Sequence, residues 1–386
     1  MSGSPFTPTF GVTPPVLVGR DEEVEAFDTA LADGVGSPGR AMLLTGPRGS
    51  GKTVTLNALE DRAAASGWLV ASETARPGVA GDLEERLRVL LDRLVEGRGP
   101  ALTGVSASVM GTGGSVDLEP ARPRPEPTGF RAALTALADA AAERGGGVLV
   151  TLDEVHVEAI DDLRTVTQAV QHCFREGREV AVVAAGLPSS VGTLLDDTVT
   201  TFLRRAERFT LGSLDPEEVR RGLREPILTA GRSISPRALD VAVTGTDGQP
   251  FLVQLVGHQM WSVQPDADLI TVAHARAGVQ EARRRVGLLV HEPELRPLSD
   301  TDRAFLVAMS EDDGPSRMGD LARRLDADAN FASQYRLRLI REGLIEATGH
   351  GRVDFASHTM RDYLREHAGD VLGGGPARRR RHGEGR

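Results

Sequence analysis

Gly46-Pro47-Arg48-Gly49-Ser50-Gly51-Lys52-Thr53 decides how the rest of this chain is read. It has the form G-x-x-x-x-G-K-T, and its lysine is the only one in 386 residues, so the other 44 of the 45 Lys and Arg side chains are arginine. A composition that uses arginine everywhere else keeps lysine where a compact ammonium, not a planar fork, must reach between phosphate groups. The flanks agree. Ala41-Met42-Leu43-Leu44-Thr45 is a short apolar run suited to a buried strand, and Thr53 to Ala65 has helical composition with Leu56 and Leu59 apolar. Strand, glycine-rich loop and helix in that order aim the loop amides and the helix N-terminus at phosphate oxygens. Lys52 then offsets their charge, and the Thr53 hydroxyl is placed to ligate Mg2+. Gly46, Pro47, Arg48, Gly49, Ser50, Gly51, Lys52 and Thr53 are therefore expected to hold a nucleotide with its Mg2+.

A second nucleotide element is expected downstream, and Gly147-Val148-Leu149-Val150-Thr151-Leu152-Asp153-Glu154 fits it, an apolar strand ending in two acids. Asp153 at the sheet edge is the candidate metal ligand, and Glu154 beyond it the candidate base for an attacking water. Further strands are expected near Trp68 to Glu73, Glu179 to Ala185 and Arg208 to Leu211, separated by helical stretches. The pattern implies a P-loop α/β domain with a doubly wound parallel sheet over residues 1–214. Residues 97–128 are rich in Pro and Gly, and Gly111-Thr112-Gly113-Gly114 between two apolar runs suggests an inserted hairpin before a Pro-rich linker.

Composition narrows the functional classes. With 40% hydrophobic residues the chain has material for real cores, and no apolar run approaches the roughly 20 residues of a membrane span, so a cytoplasmic protein is expected. The single cysteine, Cys173, rules out an intramolecular disulfide and a Cys-based metal cage. A net charge of −10 gives no long-range attraction for nucleic acid, so a DNA contact would need a local basic patch. Arg378 to Arg381 form such a run, in what is expected to be a disordered basic tail over 368–386.

These motifs together resemble the AAA+ ATPases, and within them the branch that contains origin-recognition, archaeal-type and STAND ATPases. The resemblance implies ATP as the nucleotide. Val18-Gly19-Arg20-Asp21-Glu22-Glu23 is similar to the "GR-x-x-E" motif of that branch, whose backbone packs on adenine; by sequence alone it is equally a helix start with acids at the positive end of the dipole. Phe202-Leu203-Arg204-Arg205-Ala206-Glu207-Arg208-Phe209 lies where these proteins place an arginine finger, which makes Arg205, or Arg204, a candidate for a neighbouring subunit's site. A solvated helix face explains those arginines as well.

Two departures from the family bear on rate. Val180 to Gly186 ends in Ala and Gly where the family's sensor 1 carries a polar residue. In the helical lid expected over 215–297, Gly248-Gln249-Pro250 resembles a G-x-P motif in which Pro250 touches nucleotide by shape and supplies no charge; a turn before a Pro-opened helix explains it too. With less charge stabilised in the transition state, slow hydrolysis is expected.

The segment 298–367 has the order helix, helix, turn, helix, hairpin, helix, which predicts a winged helix-turn-helix domain. Ser299 is expected to cap its first helix, and the helix near 330–342 to bury Phe331, Tyr335 and Leu339. Gln334, Arg338 and Arg341 fall at i, i+4 and i+7 on its outward face, a candidate surface for double-stranded DNA. Against this, residues 298–386 carry 15 acidic and 15 basic residues, so a protein contact, self-association or a clamp on the ATPase is an equal reading. Three functions remain open: a nucleotide-controlled switch that hydrolyses ATP, a DNA-binding regulator or loader holding ATP as a structural ligand, and an interaction scaffold.

Overall fold

The computed structural model describes residues 3–9, 11–96, 128–196 and 201–373. The hairpin and linker expected over 97–128 lie outside the described residues apart from Thr128, as does the basic run from Arg378 to Arg381.

Helix α1 (Asp21–Asp33) precedes β1 (Ala41–Thr45) and α2 (Lys52–Ala65), and β2 (Leu69–Thr74) leads into α3 (Val79–Val95). The chain is described again from α4 (Phe130–Ala142), followed by β3 (Val148–Val155), α5 (Ile160–Arg175), β4 (Val180–Gly186), α6 (Pro188–Asp196) and β5 (Glu207–Thr210). The strands form one sheet in the order β2-β3-β4-β1-β5 with every pairing parallel. Because both faces of a parallel sheet are covered, its strands are apolar on both sides, and β3 shows the period of two. Val148, Val150 and Leu152 join the core under α3, α4 and α5, whereas Leu149 faces the core under α1 and α2. Cys173 is buried in the first of these, and burial raises its thiol pKa.

A helical layer follows: α7 (Pro216–Thr229), β6 (Ser233–Ile234), α8 (Pro236–Thr246), α9 (Pro250–Val263), β7 (Leu269–Ile270) and α10 (Val272–Val286). It has its own core around Leu223, Leu252, Val256 and Met260. Phe6 is buried in that core too, seated where a Cβ on Gly257 would come within 2.4 Å of its ring. The N-terminal segment is thereby fastened to α9. After α10 the helix widens into a π turn over Gly287–His291, in which the Glu292 amide donates to the Gly287 carbonyl, and α11 (Glu292–Leu295) continues it. Pro293 explains the widening, because its ring displaces the carbonyl four residues back and has no N–H to offer it.

The C-terminal unit comprises α12 (Asp300–Ser310), β8 (Ser316–Arg317), α13 (Met318–Arg324), α14 (Ala329–Arg341), the hairpin β9 (Ile345–Gly349) and β10 (Arg352–Phe355), and α15 (His358–Gly373). Ser299 caps α12 with Asp302 as the reciprocal partner. The expected element order is present, with β8 added as a two-residue strand on β10. Two expectations about this unit need correction. Leu339 is buried, but Phe331 is exposed and packs tilted against Tyr335 with ring centroids 4.6 Å apart, while Ala332 takes the inward position. Helix α15 does not stop at His367; it kinks there and runs to Gly373, so residues 368–373 are helix and not tail. Among the described residues no helix is long and apolar enough to cross a membrane.

Candidate nucleotide site

The loop between β1 and α2 lies at the C-terminal edge of the sheet, where the helix N-terminus opens outward. Gly51 makes the turn into α2 with φ 91, a conformation L side chains avoid. Pro250 stands beside this turn: a Cβ on Gly51 would lie in ordinary van der Waals contact with its ring, 3.7 Å away. Pro250, the first residue of α9, therefore sits beside the loop, and it also opens its helix in the ordinary way after Gln249.

Lys52 Nζ donates to the Gly46 and Pro47 carbonyls at 2.9 and 2.7 Å. Burial lowers its pKa to about 8, with the nearby Arg48 charge lowering it further and Asp153 and Glu154 opposing. Thr53 Oγ1 donates to Asp153 Oδ2 at 2.6 Å, and the Glu154 amide donates to Asp153 Oδ1 at 2.8 Å. Thr53 lies in the first turn of α2 and Asp153 in β3, with β4 between β3 and β1 in the sheet; Gly186, the small last residue of β4, lines the same cavity. Glu154 has φ 52, left-handed backbone on a non-glycine residue, at a break in the β3–β4 register between Leu152 and Val155. Such a conformation costs on the order of 1 kcal/mol and turns the side chain off the strand toward the cavity.

The cavity beside this loop has a volume of about 500 Å³, within the range of small-ligand sites. Its phosphate end carries Arg48, Lys52, Thr53, Asp153 and Glu154; its far end is walled by Thr7, Val16, Leu17, Val18, Leu214 and Gln254. The Thr7 amide donates to Gln254 Oε1 at 3.2 Å, so the N-terminal segment and α9 close that end together. Thr53 and Asp153 supply the hard oxygen donors that suit Mg2+, and the apolar far wall suits a base.

Arg20, quoted in the sequence for its motif and not for its side chain, is a structural member of the site. Its guanidinium is buried and donates to the carbonyls of Gly19 (2.7 Å), Ser50 (2.7 Å) and Gly212 (3.1 Å). It thus ties the loop to the segment after β5. Arg205 is not brought to the cavity of its own chain; it is exposed beside Arg204, whose Nε donates to the Leu195 carbonyl at 2.8 Å. On α14, Gln334 and Arg341 are exposed, but Arg338 turns back onto α12, donating to Asp302 Oδ1 (3.0 Å) and Ser299 Oγ (2.9 Å). The sequence placed Arg338 outward; the buried Asp302 carboxylate at the α12 cap is what draws it in.

A family model described as "AAA ATPase domain" matches residues 16–183, which span the loop, Asp153 and Glu154. The chain is an ATP-binding ATPase with the AAA+ P-loop fold. A second family model, described as a domain of unknown function (DUF8462), matches residues 289–364 of this ATPase. No curated protein matches the chain in sequence. Among solved structures, a Walker-type ATPase of Pyrococcus abyssi shares the fold at TM-score 0.66 and 14% identity, over 90% of this chain and 96% of the other. The ORC2 protein of Aeropyrum pernix, in ADPNP and ADP complexes, aligns at TM-score 0.60 and 19% identity, over 95% and 97% of the two chains.

Proposed function

We propose that this ATPase is a slow, Mg2+-dependent nucleotide switch in which residues 215–297 form the lid and 298–373 a winged-helix domain whose pose follows the nucleotide. Lys52 and the loop amides hold the β- and γ-phosphates, and Thr53 and Asp153 hold the cation. A Mg2+ held there would neutralise the charge of the β- and γ-phosphates. Glu154 accepts the proton of the water whose oxygen attacks the γ-phosphorus, and ADP leaves with the electrons of the broken P–O bond. The observation that carries the slow rate is what the lid brings to the cavity. Pro250, Phe251, Val253 and Gln254 reach it from α9, and Gly186 from β4, without a cation among them. Charge that develops on the γ-phosphate is stabilised by the cations that line the cavity outside the lid, Lys52, Arg48 and Arg20. Measuring ATP hydrolysis beside Lys52→Ala and Glu154→Gln tests the reading. Turnover of many molecules per second in the unassisted wild type overturns the switch; so does turnover unchanged in Glu154→Gln.

DNA binding by the winged-helix domain is the second reading, supported by exposed Gln334 and Arg341 on α14. With Arg338 engaged by Asp302 the basic surface is small, so binding is expected to be weak and to fall steeply with salt. Duplex binding that does not respond to salt, or to Arg341→Ala, leaves α14 as a protein contact, for which exposed Phe331 and Leu337 are suited.

A further inference from the structure

We propose that Arg48 links the nucleotide to the C-terminal unit: its guanidinium is held by Glu294 when the unit is docked and is surrendered to the phosphates when ATP binds. The inference rests on the nucleotide-switch reading and names the residues through which it operates. Arg48 lines two cavities at once, the nucleotide cavity and an adjoining one of about 250 Å³ between the loop and the C-terminal unit. Its Nη1 lies 3.3 Å from Glu294 Oε1, with the arginine half-exposed and the glutamate 12% exposed. Arg48 and Lys52 line the nucleotide cavity together, so the guanidinium borders the space that a ligand of Lys52 would occupy.

Behind Glu294 the contact continues into the C-terminal unit. His291 Nδ1 lies 3.7 Å from Glu294 Oε2, and His291 Nε2 is 2.9 Å from Thr359 Oγ1. The Thr359 and Ser357 hydroxyls are 2.8 Å apart, and Gln249 Nε2, next to Pro250 on the loop, donates to Ser357 Oγ at 3.1 Å. The π turn caused by Pro293 sets His291 and Glu294 at the end of this chain of contacts. His291 is buried and its Nδ1 has no hydrogen-bond partner among the described residues, with Glu294 Oε2 3.7 Å away. Arg48 is thus the one cation of the loop whose partner belongs to the segment leading into the C-terminal unit. Polyphosphate is a stronger competitor for a guanidinium than a single carboxylate, because its charge is larger and its oxygens are better matched to the fork.

The test is ATP affinity of wild type, Glu294→Gln, Arg48→Ala and the double variant, with Lys52→Ala as control and hydrogen exchange across 287–295 and 343–360. Without the competing carboxylate, Glu294→Gln is expected to bind ATP about fivefold more tightly, the low end of coupling between sites. Arg48→Ala binds more weakly, and adding Glu294→Gln to it changes nothing further. Coupling is reciprocal, so ATP raises exchange in both segments of the wild type and leaves Arg48→Ala unaffected. Unchanged affinity in Glu294→Gln, with Lys52→Ala still weakened, overturns the link and spares the site. Unchanged affinity in Lys52→Ala overturns the site itself. Should Glu294→Gln melt early, Glu294→Asp, which keeps the charge but shortens its reach, is expected to tighten ATP binding in the same direction.

Discussion

The nucleotide cavity and the C-terminal unit are both rich in charge, but they use it differently. In the C-terminal unit cations are matched with anions: Arg361 with Asp354, Arg324 with Asp312, Arg365 with Asp313 and Arg338 with Asp302. At the cavity Arg20 and Lys52 instead donate to backbone carbonyls, at distances from 2.7 to 3.1 Å, and Arg48 is the exception, paired with Glu294 at 3.3 Å. A cation resting on neutral partners keeps its net charge, and in a low-dielectric setting that charge is available to an anion. One paired with a carboxylate has already lost most of its reach. Charge that converges unpaired on a cavity marks chemistry; charge engaged in pairs marks architecture.

The largest effect that can break this contrast is on catalysis. Glu154→Gln keeps the shape of the site and removes the base, so hydrolysis is expected to fall by about 100- to 10,000-fold with ATP binding retained. Lys52→Ala removes charge-assisted contacts to phosphate and is expected to weaken ATP binding about 100-fold. Single-turnover hydrolysis and equilibrium binding separate the two. If either variant behaves like wild type, the unpaired charges of the cavity are not its working parts.

Much of this is legible in the sequence. The loop, β1, β3 and the two acids could be placed because a lone lysine fixed the motif and a buried parallel strand is apolar on both faces. What could not be read depends on contacts distant in sequence. Arg20 bridges Ser50 and Gly212, 30 and 192 residues away, and nothing local distinguishes a buried guanidinium from a solvated one. The far end of the cavity is formed in part by an irregular N-terminal segment, which has no period to detect and is held by Phe6 against α9. On α14 the helical period marks two faces but does not say which cation finds a buried acid. The small residues that end β4 were noted in the sequence as a missing sensor, and in the structure Gly186 lines the cavity together with Thr53 and Asp153.

The next effect concerns stability in the C-terminal unit. Removing Arg338 leaves Asp302, 1% exposed, without its cation, and breaking a fully buried pair costs about 3 to 5 kcal/mol. Arg338 is itself 47% exposed, so solvent screens the loss and about 2 kcal/mol is expected for Arg338→Ala. Chemical denaturation reads it, and ATP affinity of the folded variant is expected to stay as in wild type. A change in affinity as large as that in stability would mean the paired charges are not merely architectural.

The smallest predicted effect is on pH, and it sharpens the contrast because arginine stays charged throughout the accessible range while Lys52 does not. With its pKa lowered to about 8, Lys52 is charged in the free protein below pH 8 and increasingly neutral above it. Bound phosphates favour the charged form, so above pH 8 binding must take up a proton. Affinity for ATP is then expected to fall by about tenfold between pH 7 and pH 9, a range in which the terminal phosphate is already ionised. Folding responds with the opposite sign. The unfolded chain holds a proton on this lysine up to its ordinary pKa of 10.5 and the folded chain does not, so the Lys52 contribution to stability of the free protein rises from pH 8 to 10.5. Affinity that declines while that contribution grows, with both trends absent in Lys52→Ala, is the signature of a charge kept unpaired for a ligand; a flat affinity profile would place the lysine among the settled pairs instead.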